Sequence, residues 1–435
     1  MPLLLTFLGI LCLVLLVAYF KLDAFISFII VAIGLGLASG MEIPAVGNSI
    51  KKGIGDTLGE LILIIGFGAM LGKLVAESGA AQRITNTLLK IFGVKYIRWG
   101  LALTGFIIGI PLFYNAGFIV VLPLIFSVAE LVNLPILVIA IPMISALSVA
   151  HGYLPPHPSP AAIALQLHAD LSKTLLYGII VAIPAIILAG PIFGKTLGRF
   201  NPKIDTTLFK MKPLKDDEMP SLFISLATAL MPVFLLTFTS LIKTYLPDNQ
   251  VIKLLSEPYV SMLVSVLIAI YFLGIRRGKQ LQKISKQLEE AFKATSVIFL
   301  IVAGAGALKQ VLNDSGVSKY IGEQLQGFDV SPLILGWAIA GVIRICVGSA
   351  TVAGLTAVGI LAPLIQSQTG VKPELMVLAI GSGSLMFSHL NDSGFWLFKE
   401  YFNLTIKETL QTWTVMETIV SIVGLAGVLI LNMFV

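Results

Sequence analysis

The side chains able to do chemistry in this chain gather in a few short polar stretches inside apolar sequence. Residues 151–160, HGYLPPHPSP, carry His151, His157 and Ser159, and four of the ten are proline: Pro155, Pro156, Pro158 and Pro160. Residues 389–396, HLNDSGFW, carry His389, Asn391, Asp392 and Ser393. Histidine titrates near neutrality and a partly desolvated carboxyl can approach it, so His151, His389 and Asp392 are candidates to carry a proton. A neutral histidine bonded to a local carbonyl is the bland alternative. Asp392 is the foremost carboxylate, because Asn391, Asp392 and Ser393 are adjacent polar side chains between apolar flanks. No His-Glu-x-x-His pattern and no nearby cysteine accompanies these histidines, which disfavours a metal, and no cofactor is expected.

Two further kinks carry hydroxyl and amide groups: Tyr114 and Asn115 in 111-PLFYNAG-117, and Ser349 and Thr351 in 348-GSAT-351. These could hydrogen-bond a carboxylate or a polyol, or merely cap short helices. Arg344 interrupts the otherwise uncharged 333-LILGWAIAGVIRICV-347. A charge there is expensive unless paired or facing water, so Arg344 either attracts an anionic substrate or pairs with an acid such as Asp314. Glu77 and Asp314, each just before Ser-Gly, read as interfacial caps, with Lys73 and Lys309 placed to snorkel.

The elements that must position these residues are set by composition. Of 435 residues 57% are hydrophobic and 12% charged, against roughly 25% charged in soluble domains, so the fold class is an all-α polytopic membrane protein. The net charge of +6 does not indicate nucleic acid, because the basic residues cluster in short loops beside apolar runs. Cys12 and Cys346 lie in apolar segments and build no disulfide framework. The first run, Pro2–Phe20, lacks a basic n-region and a small-residue cleavage site and reads as a retained helix. Expected crossings are about 3–20, 24–40, 60–78, 135–168 and 174–193, then 222–246, 259–274, 294–312, 373–402 and 415–434. Proline lacks the donor a helix needs, so 151–160 breaks the helix over 135–168 at membrane depth, and the polar stretch 389–396 is read as the matching break over 373–402. Their backbone must then face protein or a water-filled cavity.

The chain also resembles itself. Residues 66-GFGAMLGKLVAESGAAQRI-84 align with 303-AGAGALKQVLNDSGVSKYI-321 at a shift of 237, and His151 falls on His389 at 238. Residues 80–99 hold Arg83, Lys90, Lys95 and Arg98 without an acid, whereas 317–336 set Lys319 against Glu323 and Asp329. Opposite loop bias implies inverted copies. The expected organisation is a first inverted repeat over 1–200, a cytoplasmic linker over 201–220 and a second repeat over 221–435. Each would hold five crossings, one of them a broken helix, plus a re-entrant hairpin, at 98–131 and 332–367. The basic loops 80–99, 195–215 and 276–293 then share the cytoplasmic face.

The stretches 109-GIPLFYNAGFIVVLPLI-125, 151-HGYLPPHPSPAAIA-164 and above all 388-SHLNDSGFWLFKEYFNLTIKETLQTWTVMETI-419 resemble the gluconate permease (gluconate:proton symporter) family, over essentially the whole length. The resemblance implies proton-driven uptake of a sugar acid or small hydroxy acid across a bacterial cytoplasmic membrane. It further implies the inverted repeats, hairpins and elevator motion of the wider ion transporter superfamily, with 1–60 and 174–274 as scaffold and a homodimer as the assembly. Relatives handle gluconate, idonate, fructuronate, glycerate or D-serine, so the substrate does not carry over. Ser159 stands where the family pattern leads one to expect glycine.

A sodium-coupled carboxylate transporter is the alternative, separable by the cation dependence of uptake. An intramembrane enzyme lacks a nucleophile-base or metal motif here, and a channel would need a continuous polar pore.

Overall fold

Every regular element among the described residues is a helix. The computed structural model describes residues 2–200, 202, 214–246, 248–316, 331–367, 371–390 and 392–435. The longer helices, numbered in chain order, are α1 (Pro2–Val14), α2 (Ala24–Ala38), α3 (Ile43–Glu77), α4 (Ala80–Phe92), α5 (Ile97–Gly109), α6 (Tyr114–Val132), α7 (Ile136–Tyr153), α8 (Pro158–Gln166) and α9 (Leu171–Ile187). They continue as α10 (Leu222–Tyr245), α11 (Pro258–Ala269), α12 (Leu281–Ala294), α13 (Ser296–Asp314), α14 (Pro332–Val347), α15 (Ala350–Ser367), α16 (Pro373–Gly383), α17 (Ser393–Tyr401) and α18 (Val415–Leu431).

The core is laid around α7. Its sequence is apolar on all sides, so the helix has no solvent face to offer, and every side chain from Ile136 to Tyr153 except His151 is buried. It packs on α5, α6, α9, α16 and α18. The close approach to α5 depends on Gly105, because a Cβ there would strike the backbone carbonyl of Met143. Leu154 leaves the helix in extended backbone, and α8 opens with Pro158, where proline's missing donor breaks no helical bond. In the second half α14 and α15 meet at Gly348, whose φ of 82° suits glycine, and α16 stops ten residues before α17 starts.

Six segments are long and apolar enough to cross a membrane: Ile136–Gln166, Leu171–Arg199, Leu222–Thr239, Pro258–Arg277, Ser296–Asp314 and Ile406–Leu431. A seventh is α3, bent by 40° between limbs Ile43–Gly59 and Leu61–Glu77. This departs from ten even crossings. The expected 60–78 span is only the second limb of a 35-residue helix, whose first limb carries exposed Lys51, Lys52 and Asp56 and so escapes a hydropathy reading. The expected 24–40 span is the 15-residue α2, about 22 Å long against a hydrocarbon core of about 30 Å. Of the expected linker 201–220, only Pro202 and residues 214–220 lie within the described residues, and Lys319, Ile321, Glu323 and Asp329 lie outside them.

Candidate functional site

A cavity of about 780 Å³ opens beside α7, and four helices begin at its wall. Tyr114 and Asn115 open α6, Pro158 opens α8, Ala350 and Thr351 open α15, and Ser393 and Gly394 open α17, all of them lining residues. A helix start carries unpaired amides and a partial positive charge, so four such starts aim partial positive charge at the cavity. No side chain caps α6 or α8. At α8 the prolines remove donors from the first turn and leave the Ser159 amide there, with the helix dipole intact. At α15 the Ser349 hydroxyl accepts from Val352 N at 3.3 Å, and at α17 Asp392 accepts from Gly394 N at 2.9 Å.

Arg344, 3% exposed, resolves the choice left open by the sequence in favour of a protein acid, and that acid is Asp392 rather than Asp314. Its Nη2 stands 2.5 Å from Asp392 Oδ2, and Nη1 donates to the Gly348 carbonyl at the end of α14. Ser388 Oγ donates to the same Asp392 oxygen and receives Trp413 Nε1–H at 2.7 Å, while the Ser388 carbonyl accepts from Thr414 Oγ1 at 2.5 Å. Asp392 therefore has both oxygens engaged, by an amide on one and by a hydroxyl and a guanidinium on the other. Asp314 accepts instead from Ser49 Oγ at 2.6 Å and Gln310 Nε2 at 2.9 Å.

Of the residues singled out from sequence, Tyr114, Asn115, His151, Arg344, Ser349, Thr351, Asp392 and Ser393 line the cavity. His157, Ser159 and His389 are not among its lining residues. His157 is buried behind His151, ring centroids 5.5 Å apart, with Nε2 2.7 Å from the Gly109 carbonyl, and so joins the start of α8 to the end of α5. Ser159 is buried in the first turn of α8, its hydroxyl without a hydrogen-bond partner among the described residues. His389 is half-buried, with Nε2 2.9 Å from the Ile345 carbonyl. Asn391 lies outside the described residues.

The sequence model of the GntP permease family matches residues 1–434. The chain belongs to the GntP permease family. Over the full length of both chains it is 49% identical to the high-affinity gluconate transporter of Escherichia coli K12. It is 46% identical to the Gnt-II system L-idonate transporter of that organism, covering 99% of each chain, and 42% identical to the gluconate permease of Bacillus licheniformis, covering 100% of each. The fold is similar to that of the YdaH transporter of Alcanivorax borkumensis, with a TM-score of 0.65 at 15% identity over 94% of this chain and 96% of that one. It is also similar to Neisseria gonorrhoeae MtrF, with a TM-score of 0.66 at 12% identity over 93% and 94%. As a permease with several apolar membrane-spanning helices, the protein is a multi-pass membrane transporter and not an enzyme.

In this GntP permease the cavity also takes in residues that the sequence reading passed over. Glu417 on α18 lines it, 1% exposed, as do Trp413 and Ser148. Glu417 carries the same signal as Arg344, a lone charge in an apolar run, but that run by itself reads as a plain crossing. At the cavity edge Lys73 pairs with Glu77 at 2.6 Å and Glu290 of α12 at 3.7 Å, and Gln287 donates to Glu77. Glu77 is thus a partner in an ion pair rather than a simple cap. Lys309 donates to the Gln166 carbonyl at 3.1 Å, binding α13 to the end of α8.

Proposed function

We propose that this permease takes a gluconate-class sugar acid into the cell together with a proton, across the bacterial cytoplasmic membrane and by alternating access. The observation that carries the reading is the convergence of four helix starts on one cavity, which favours an anion through fixed dipoles. A volume of about 780 Å³ suits a six-carbon acid and falls within the ~300–1,000 Å³ of small-molecule sites. The gluconate and idonate transporters among the relatives supply the substrate class. In this reading the substrate carboxylate lies against the starts of α6 and α15, while Asn115, Ser349, Thr351, Ser393 and the Tyr114 hydroxyl meet the polyol. Arg344 and Asp392, already paired, fix the geometry between α14 and α17, and His157 and Ser159 support the wall behind His151. The two hairpins and two broken helices act as inverted halves of a transport domain, moving against a scaffold of 1–60 and 174–274 that pairs in a homodimer.

A co-transported cation is favoured for an electrostatic reason, and in this reading that cation is a proton. Moving a lone anion into a negative interior is opposed by about 2.3 kcal/mol per 100 mV, and a proton carried with it removes that opposition. The sodium-coupled alternative is not supported by the relatives. The test is uptake of labelled gluconate by the purified permease in liposomes under an inward proton gradient. Accumulation that a protonophore abolishes, with no response to sodium, is expected. Equilibration that ignores the proton gradient would overturn the coupling, and no competition by gluconate or idonate for any labelled sugar acid would overturn the substrate class.

A further inference from the structure

We propose that Glu417 is the side chain that takes up and releases the transported proton. The proposal rests on the proton-coupled reading above and assigns its residue. Two carboxyl groups face the cavity from its deep side, and their surroundings are opposite. Asp392 has a guanidinium, a hydroxyl and an amide on its oxygens. Glu417 is more deeply buried, yet neither of its oxygens makes a hydrogen bond of good geometry among the described residues, and the guanidinium nearby is committed to Asp392. A buried carboxylate without such partners costs several kcal/mol, whereas the neutral acid does not. Asp392 is thereby committed to its ion pair, and Glu417 is the buried carboxyl left without a counter-charge of its own and so the one placed to change its charge.

The groups facing Glu417 fit an exchangeable proton. Ser148 and Tyr153 approach from α7, Tyr114 from α6, Arg344 from α14 and Asp392 from the start of α17. Tyr153 gives its hydroxyl to the Val420 carbonyl at 2.6 Å, which leaves Ser148 and the unpartnered Tyr114 hydroxyl as donors. At the cavity edge Lys73, Glu77 and Glu290 pair with one another, and His151 on α7 also lines the cavity, but protonating it would set a second cation against Arg344. Coupling then follows from charge. A substrate carboxylate entering the same cavity repels an ionised Glu417, so anion and proton bind together, and by linkage each strengthens the other by the same factor. The carboxylate takes one proton from water on the outer side. When the cavity opens inward and the anion leaves, water solvates Glu417 and the same proton passes to it, so one proton and one anion cross per cycle.

The experiment compares wild-type protein, Glu417→Gln and Glu417→Asp in liposomes, reading gradient-driven accumulation of labelled gluconate and, separately, gluconate exchange at equal proton concentration on both sides. Glutamine mimics the protonated acid, so Glu417→Gln is expected to exchange gluconate at a rate of the wild-type order, without pH dependence, and to lose accumulation entirely. Accumulation by Glu417→Gln, or exchange that keeps the wild-type pH profile, overturns the assignment. If Glu417→Gln does not fold, as judged by size-exclusion chromatography, Glu417→Asp decides. A displaced pH midpoint with coupling retained supports the proposal, and an unchanged profile overturns it. Wild-type protein that ignores the proton gradient would instead overturn the proton-coupled reading, an outcome visible before any variant is compared.

Discussion

Arg344 and Asp392 are the residues on which the cavity's inner wall depends, and their removal should be asymmetric. Replacing Asp392 by Asn keeps a similar shape but leaves a buried guanidinium without its counter-charge, expected to lower stability by about 3–5 kcal/mol. Replacing both, Arg344→Met with Asp392→Leu, removes the desolvation of two charges and is expected to recover most of that loss while abolishing transport. Thermal unfolding in detergent, followed by tryptophan fluorescence, measures both. Equal melting temperatures for wild type and Asp392→Asn would show that the pair contributes nothing. At this scale much of the cavity was legible. Tyr114, Asn115, His151, Ser349, Thr351, Asp392 and Ser393 stand out as polar groups at breaks in apolar sequence, and they share one cavity. What sequence could not supply was which charge meets which. Arg344 and Asp392 are 48 positions apart, and only the fold brings them to 2.5 Å. Glu417 is less legible because it lies in the first turn of an apolar helix that reads as a crossing, beside Thr418 but with no proline or glycine break to mark it.

Among the elements, α5 and α7 are the pair whose contact is set by a missing side chain. A Cβ at Gly105 would meet the Met143 carbonyl and its Cα, and backbone cannot swing aside as a side chain can. Gly105→Ala is therefore expected to cost about 1–3 kcal/mol. Gly34→Ala in α2, where a Cβ meets nothing within 4 Å, is expected to be neutral or to stabilise by about 0.5–1 kcal/mol. The same melting assay separates them, and equal shifts in both variants would refute the packing account. Breaks were easy to read at this scale because proline and clustered polar residues enforce them locally. Helix extents were not. The first limb of α3 exposes Lys51, Lys52 and Asp56 while burying Val46, Ser49 and Gly53, an amphipathic pattern that a search for uniformly apolar runs discards.

For the whole molecule, the arrangement of basic segments bears on orientation. Arg83 of α4 donates through Nε to the Pro220 carbonyl at 2.9 Å and pairs with Asp216 at 3.2 Å, and Arg277 donates to the Glu218 carbonyl at 2.6 Å. The regions after α3, before α10 and after α11 thus meet at one end of the bundle, although more than 130 positions separate Arg83 from Asp216. Basic loops sharing an end should face the cytoplasm together, since inward retention of Lys and Arg sets orientation. Sequence could count these charges but could not show that the loops touch. In a background with Cys12 and Cys346 replaced by serine, single variants Lys95→Cys, Lys215→Cys and Lys279→Cys are expected to resist a membrane-impermeant maleimide added to intact cells. All three should react in inside-out vesicles. Labelling of all three from outside would reverse the orientation, and labelling of only some would mean that the shared end does not lie on one side of the membrane. The split result would also remove the loop-charge argument on which the inverted halves rest, because that argument requires the basic loops of the first half and the linker to lie on one side.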